Sequence, residues 1–148
     1  MKILLDNKKA KYDYDILETF EAGLELRGWE VKSLRNKRGS LSGAHAIIRG
    51  GEAYIVGFNI PPYQAKNLPV NYEEGRTIRL LLRKKEIKYL AGKLAQKRLT
   101  LTPIMVYTKG NKLKIKLGLA KGKRKYEKRE KLKQKEAKRR IERELKEN

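Results

Sequence analysis

Alternating apolar and polar positions predict several short strands in the first two thirds of the chain. Residues 20–26 alternate in this way, with Phe20, Ala22, Leu24 and Leu26 on one side, which predicts a half-buried strand. The segments AHAII and EAYIVGF flank Arg49-Gly50-Gly51, a sequence typical of a β-hairpin turn because glycine reaches positive φ at little cost. Residues 77–83, TIRLLLR, predict a further strand with a continuous apolar run.

Two longer strands follow, LTLTPIMVYT and KLKIKLGLA, joined by a predicted turn at Lys109-Gly110-Asn111. Pro103 indicates a strand edge or a bulge, because proline cannot donate to a sheet ladder. In the last strand, alternation directs Leu113, Ile115 and Leu117 inward. It directs a basic row outward, made up of Lys112, Lys114 and Lys116.

Helical spacing appears in two places. In WEVKSLR, Val31 and Leu34 lie three residues apart, which predicts a short helical turn. A longer helix is predicted to end near Arg98, with an inner face formed by Ile87, Leu90, Ala91 and Leu94. Residues 60–75 contain three prolines and are predicted to form a loop.

About six short strands and at least one helix indicate a small α+β domain. Antiparallel strands at this spacing favour a closed or nearly closed barrel. The predicted division is a folded body, residues 1–119, and a tail, residues 120–148.

The charge of the chain indicates a polyanionic partner. Its 148 residues include 38 Lys+Arg and 17 Asp+Glu, a formal net charge of +21. The tail holds 14 basic and 6 acidic residues, a net +8, and the body holds 24 and 11, a net +13. Because both parts are basic, we expect both to bind an anion. Nucleic acid is favoured over an anionic membrane surface, since the tail lacks a strong apolar face.

The tail is rich in residues that favour helix and has no Gly or Pro after Gly122. Its apolar stripe, Ala137, Ile141 and Leu145, is too narrow to dock firmly on a barrel. We expect the tail to be disordered when free and to become helical on a polyanion. A solvated surface helix is the alternative, and a coiled coil fits less well because no heptad pattern persists.

Little in the sequence indicates catalysis or a cofactor. The chain has no cysteine, and its one histidine, His45, cannot form a multi-histidine metal site. Glu30 and Lys32 form an E-x-K triplet of the kind that some metal-dependent nucleases use, but the triplet falls in a predicted helix. Glu21 and Glu30 either accept hydrogen bonds from RNA bases or hold an arginine of the protein itself.

No apolar run approaches membrane-spanning length, and the opening MKILL is too short for a signal peptide. We therefore expect a soluble, cytoplasmic protein that is neither an enzyme nor a metal or cofactor binder.

Several stretches, in order, resemble the SmpB (small protein B) family. The N-terminal part is DNKKAKYDYDILETFEAGLELRGWEVKSLR, in which ETFEAG and EVKSLR stand out. IPPY, RLLLRKKEI, LTLTPI and LGLAKGKRKYEKR follow in the family's order, so the resemblance covers nearly the whole chain.

This resemblance implies an OB-like antiparallel barrel with flanking helices and a basic, helix-prone tail. It implies that the protein binds the transfer-RNA-like domain of tmRNA and delivers it to stalled ribosomes for trans-translation. The tail would sense the empty mRNA channel at the decoding centre. Alanyl-tRNA synthetase and elongation factor Tu would be indirect partners through tmRNA, and the protein would be a monomer. A ribosomal structural protein with an OB-like body is the alternative.

The resemblance also implies site residues. Those expected to contact the transfer-RNA-like domain are Asn7, Lys8, Lys9, Glu21, Lys32, Arg35, Leu81 and Arg83. Those expected at the decoding centre are Lys121, Gly122, Lys123, Arg124, Tyr126, Lys128 and Arg129. Arg83 stands where relatives often have His or Asn, so its charge suits phosphate and the resemblance does not carry over a contact with a base edge there. NYEEG, residues 71–75, replaces the relatives' usual loop element, so the resemblance does not give the shape of this loop.

Overall fold

The computed structural model describes residues 1–63, 72, 73, 75–123 and 125–147, with the backbone alone for 125–131 and 144–147. Seven strands and four helices are defined in this part of the chain. The strands are β1 (Lys2–Asp6), β2 (Tyr14–Leu24), β3 (His45–Arg49), β4 (Glu52–Val56), β5 (Ile78–Leu81), β6 (Leu99–Lys109) and β7 (Lys112–Gly122). The helices are α1 (Lys8–Asp13), α2 (Gly28–Arg35), α3 (Lys84–Leu94) and α4 (Lys125–Glu147).

Six of the strands close into an antiparallel barrel, in the order β6-β3-β4-β5-β2-β7 with β7 returning to β6. β1 adds a seventh strand, which pairs with the second half of β6. The barrel and the flanking helices agree with the predicted fold. The predicted hairpin is also confirmed: β3 and β4 are joined by Gly50 and Gly51, both at positive φ.

The β6–β7 hairpin is the longest pairing of the barrel, and it forms as predicted. Lys109 pairs with Lys112 across a turn in which Gly110 has a φ of 61°. The register shifts between Pro103 and Met105, so the proline lies at a bulge. Inward residues of this hairpin form much of the core, including Leu101, Val106, Ile115 and Leu117, each fully buried.

Helices α2 and α3 cover parts of the barrel through their apolar faces. Leu34 of α2 and Leu90 of α3 are fully buried. Two details of the predicted α3 are wrong: Ala91 is exposed, and the helix ends at Leu94 rather than near Arg98. The helix ends at Leu94 because the chain must turn into β6 at Leu99, whose N–H donates to the Gln96 carbonyl.

Three elements near the N-terminus have no clear pattern in the sequence. β1 buries Leu4 alone, so it shows no alternation, and α1 has only six residues. β2 begins at Tyr14, six residues before the predicted start, because a register shift between Ile16 and Glu18 interrupts its alternation.

The predicted boundary between body and tail falls inside β7. Ala120 is fully buried and pairs with both Ile16 and Thr100, and Lys121 pairs with Asp15 and Leu99. The barrel therefore extends to Gly122, and the helix α4 begins at Lys125. The described side chains of α4 are exposed, as expected for its composition. Disorder of the free tail stays a prediction.

Glu30 forms a buried ion pair that holds the connection to β5 against α2. Its Oε2 accepts from Nε of Arg76 at 2.9 Å, and its Oε1 accepts from the same guanidinium and from the Arg27 N–H. The Glu30 side chain is 2% exposed and that of Arg76 is 15% exposed. The carboxylate raises the pKa of Arg76 through this hydrogen bonding. Of the two roles considered for Glu30, holding an arginine is the one observed.

Replacing Glu30 by Ala should lower the free energy of unfolding by about 3–5 kcal/mol, because it leaves Arg76 partly buried without its charged partner. Urea denaturation measures this loss. Arg79→Ala is the matched control, since Arg79 pairs with Glu25 and Glu52 at an exposed site. Equal losses in the two variants would show that the burial of the Glu30–Arg76 pair does not matter.

Candidate nucleic-acid interface

The outer surface of β2, β6 and β7 is divided into a covered half and an open half. In the covered half, α1 packs on β2 and β6, and its Ala10 is buried. Gly118 lies there beneath Ile16 and Ile104, whose side chains would be within 3.1 Å of a Cβ at that position. A larger residue than glycine would therefore displace both isoleucines.

We call the open half the open face, and it combines one carboxylate with several cations. Register aligns Glu21 with Lys116 and Gly23 with Lys114 across β2 and β7. Across β7 and β6, Lys114 is aligned with Tyr107. The open face consists of Glu21, Leu81, Tyr107, Lys109, Lys112, Lys114 and Lys116. The outward basic row predicted for β7 is thus confirmed.

Glu21 is held in one orientation by two neighbours on β6. Its Oε2 accepts a short hydrogen bond from the Tyr107 hydroxyl, and its Oε1 accepts from Nζ of Lys109 at 3.0 Å. The Tyr107 hydrogen bond, followed by that of Lys109, lowers the pKa of Glu21. The side chain remains 37% exposed. It therefore presents a fixed, ionised acceptor to solvent.

Tyr107 is a buried residue, 4% exposed, whose hydroxyl reaches the open face. Burial, and then the contact with Glu21, raises the pKa of its hydroxyl. Tyr107 therefore stays protonated and keeps donating to the carboxylate. The nearby pair of Tyr89 and Glu18 has the same chemistry at an exposed position, where the tyrosine hydroxyl contacts both carboxylate oxygens at 2.7–2.8 Å.

Leu81 gives the open face an apolar edge. It is 48% exposed and pairs in register with Gly23. A Cβ at Gly23 would lie 3.2 Å from the Leu81 Cβ, so the glycine allows the leucine to lie flat on β2. Arg83, two residues further along, is exposed at the start of α3, where its N–H donates to Glu86.

Two predicted residues lie on α2. Arg35 donates from Nη2 to the Asn111 carbonyl at 2.8 Å, and so it reaches the β6–β7 turn next to the open face. Lys32 places its Nζ 4.9 Å from the ring centre of Tyr63. Both side chains have a partner within the protein, and Arg35 adds its charge to the turn end of the open face.

Asn7 occupies a structural position. It is 8% exposed, its Nδ2 donates to the Pro103 carbonyl at 2.9 Å, and its Oδ1 accepts from the Ala10 N–H. It therefore caps α1 and ties this helix to the bulge of β6. Its neighbours Lys8 and Lys9 are exposed on α1.

The residues predicted to bind one RNA domain fall into two groups. The first group contains Glu21 and Leu81 of the open face, Arg83 two residues after Leu81, and Lys32 and Arg35 of α2. The second contains Asn7, which caps α1, and Lys8 and Lys9 on α1, near Tyr14 at the other end of β2, roughly 20 Å away at the usual rise per strand residue.

The group on α1 adjoins the start of the tail. The Lys123 N–H donates to the Asp13 carbonyl at 3.0 Å, and its Nζ donates to the Lys11 carbonyl at 3.2 Å. Lys121 and Gly122 are exposed at the end of β7. Arg124 and the side chains of Tyr126, Lys128 and Arg129 lie outside the described residues.

Neither of two other kinds of site is seen in the described part of the chain. No group of three or more His, Asp or Glu side chains there could hold a metal ion. No described helix is long and apolar enough to span a membrane.

Comparison with known proteins shows the family to which this chain belongs. A family model described as "SmpB protein" matches residues 4–147. The chain belongs to the SmpB family. An SsrA-binding protein of Enterococcus faecalis is 47% identical over 147 residues, covering 99% of this chain and 95% of that protein. An SsrA-binding protein of Gloeothece citriformis is 45% identical, with coverage of 98% and 94%.

A solved structure also matches this SmpB-family chain. It is described as "tmRNA-SmpB: a journey to the center of the bacterial ribosome". The TM-score is 0.69 at 43% sequence identity, covering 82% of this chain and 85% of the other. The resemblance noted in the sequence is thus confirmed for the family and for the barrel fold.

Replacing Tyr107 by Phe should raise the pKa of Glu21 towards its ordinary value, because the largest stabilisation of the carboxylate is removed. In the native protein Glu21 stays ionised to a lower pH than in the variant. The pH titration of the Glu21 side-chain carboxyl carbon by NMR measures this change. Tyr89→Phe is the matched control and should leave the Glu21 titration unchanged. An unaltered pKa of Glu21 in the Tyr107 variant would contradict the account.

Proposed function

We propose that this SmpB-family chain binds the transfer-RNA-like domain of tmRNA and delivers it to stalled ribosomes for trans-translation. The observation that carries the proposal is the open face, which sets an ordered Glu21 carboxylate among four lysines. Relatives with 44–47% identity over nearly their whole length are SsrA-binding proteins. A solved relative is described with tmRNA and the ribosome.

The chemistry of the open face suits a folded RNA. Lysines and Arg35 release counterions condensed on the phosphate backbone, which supplies affinity without sequence preference. Glu21 supplies an acceptor for base amino and imino groups, which supplies discrimination. Leu81 offers an apolar contact to a base. We propose that Glu21, Leu81, Arg83, Lys32 and Arg35 meet the transfer-RNA-like domain.

We propose that the tail senses whether the mRNA channel of the ribosome is empty. Its composition favours helix and its charge favours RNA, so an mRNA channel empty of mRNA would bind and order it. Intact mRNA would exclude it sterically. Tyr126 can stack on a base of the decoding centre. The tail residues that would lie there are Lys121, Gly122, Lys123, Arg124, Tyr126, Lys128 and Arg129. Disorder in the free state and helix in the channel are part of this proposal.

The remaining parts of the proposal concern the cellular role. The protein acts in the cytoplasm as a monomeric adaptor rather than as an enzyme. Alanyl-tRNA synthetase and elongation factor Tu act on the same tmRNA and so are indirect partners. We propose that Asn7, Lys8 and Lys9 also contact the transfer-RNA-like domain, from the side of the barrel where Lys123 contacts the Lys11 and Asp13 carbonyls.

Glu21→Gln should weaken binding of an isolated transfer-RNA-like domain roughly tenfold or more, because it removes a charged acceptor. Fluorescence anisotropy at fixed salt measures the Kd. Glu18→Gln loses the same charge on the same strand and is the matched control. Equal weakening in both variants would mean that net charge, and not the placement of Glu21, determines binding.

Removing residues 124–148 should leave binding of the transfer-RNA-like domain nearly intact and abolish tagging of peptides on stalled ribosomes. The cut follows Lys123 so that β7 keeps its full length. Anisotropy and an in vitro tagging reaction measure the two activities. Loss of RNA binding by the shortened chain would contradict the division of roles between barrel and tail.

A ribosomal structural protein with the same type of body is the competing function. Sedimentation of cell lysate through a sucrose gradient separates the two. A structural protein would occur in one copy on every subunit of one kind, whereas the proposed adaptor would be substoichiometric.

A further inference from the structure

A cavity of about 320 Å³ lies between α1 and the barrel wall, apart from the open face. We call it the α1 cavity. Its lining comes from α1 and its capping residue, the start of β2, residues 43–45 at the start of β3, and β6. The polar and aromatic side chains among them are Asn7, Lys9, Asp13, Tyr14, His45, Thr100 and Thr102. The proposed contacts of the open face do not use this cavity.

The floor of the α1 cavity presents a hydroxyl. Thr102 lines the cavity and is 4% exposed, and its hydroxyl is not among the described buried polar atoms that lack a partner. Asn7, at the same cavity, has both amide atoms engaged. A threonine hydroxyl can donate one hydrogen bond and accept others. A ligand in the cavity can therefore exchange a hydrogen bond with Thr102.

The rim of the α1 cavity supplies charge and an aromatic surface. Lys9 and His45 are exposed, and Tyr14 is half-buried. The register places His45 beside Thr102, since the next residues of their strands, Ala46 and Leu101, are paired. A cation, an imidazole, a hydroxyl and a phenol ring around one cavity match the parts of a nucleotide: phosphate, base edge and base face.

The volume limits the size of the ligand. Small-molecule sites occupy about 300–1,000 Å³, so the α1 cavity is at the lower end of that range. One nucleoside fits this size, and a stacked or paired strand does not. An RNA strand would enter only by turning a single unpaired base inward.

We propose that the α1 cavity holds one unpaired nucleotide of an RNA strand, with its phosphate at Lys9 and its base edge at Thr102 and His45. This inference rests on the proposed RNA-binding function and adds a second contact near the start of the tail. Its position beside Lys123 would couple RNA capture at α1 to the place where the tail leaves the barrel.

The test is an NMR titration of the ¹⁵N-labelled full chain with hexauridylate RNA, uridine 5′-monophosphate and inorganic phosphate in turn. We expect saturable shifts of the Ala44, His45 and Thr102 amide signals with hexauridylate. Shifts with the monophosphate should need higher concentrations, and phosphate alone should leave these signals unmoved. Thr102→Val and Lys9→Gln should each weaken hexauridylate binding at the cavity about fivefold, the effect of one hydrogen bond or phosphate contact.

Lys8→Gln is the matched control. It removes the same charge from the next residue of α1, but Lys8 lines a groove between α1 and α4 instead. It should leave the shifts of the cavity signals unchanged. Lys9→Gln replaces an exposed residue, so it tests the inference even where Thr102→Val does not fold.

Four results would overturn the inference: no shift at the cavity, equal shifts with phosphate, equal affinity for free monophosphate and hexauridylate, or equal weakening by Lys8→Gln and Lys9→Gln. If the cavity amide signals do not shift in a chain that binds the transfer-RNA-like domain, this inference alone is refuted. A cavity that takes hexauridylate in a chain that does not bind that domain refutes the proposed function alone.

Discussion

The pairing of β6 with β7 is the constraint on which the rest of the molecule depends. These are two of the three longest strands, and their pairing closes the barrel opposite to the β4–β5 pairing in the strand order. Their inward residues, such as Leu101 and Ile115, are fully buried, so apolar burial holds together a chain of net charge +21. Their outward residues are then free to carry lysines at the regular spacing of a strand.

A cationic surface alone would bind any RNA, and the open face differs by holding one ordered acceptor. Tyr107 contributes here because its body is buried and its hydroxyl reaches Glu21, so the core fixes the position of the carboxylate. Lys109 completes the arrangement from the hairpin end. In the proposed function, electrostatic affinity and base discrimination would both come from these three strands, while the covered half of their outer surface is occupied by α1 and the α1 cavity.

Much of this arrangement could be predicted from the sequence, and what could not be predicted has physical causes. Alternation and the Gly110 turn predict the outward row of Lys112, Lys114 and Lys116. The same turn aligns Tyr107 with Lys114, so that tyrosine could have been found by counting back from Lys109. The alignment of Glu21 with Lys116 depends on long-range pairing of β2 with β7, which local patterns do not encode. β1 and α1 could not be predicted from local patterns, because each buries a single residue, Leu4 in β1 and Ala10 in α1.

The most direct measurement is recovery of the full chain from its own cells, followed by sequencing of the RNA bound to it. The account predicts that one RNA with a transfer-RNA-like end is enriched far above its share of cellular RNA, and that Glu21→Gln reduces this enrichment. Recovery of ribosomal RNA alone, in stoichiometric amounts and without such an RNA, would contradict it.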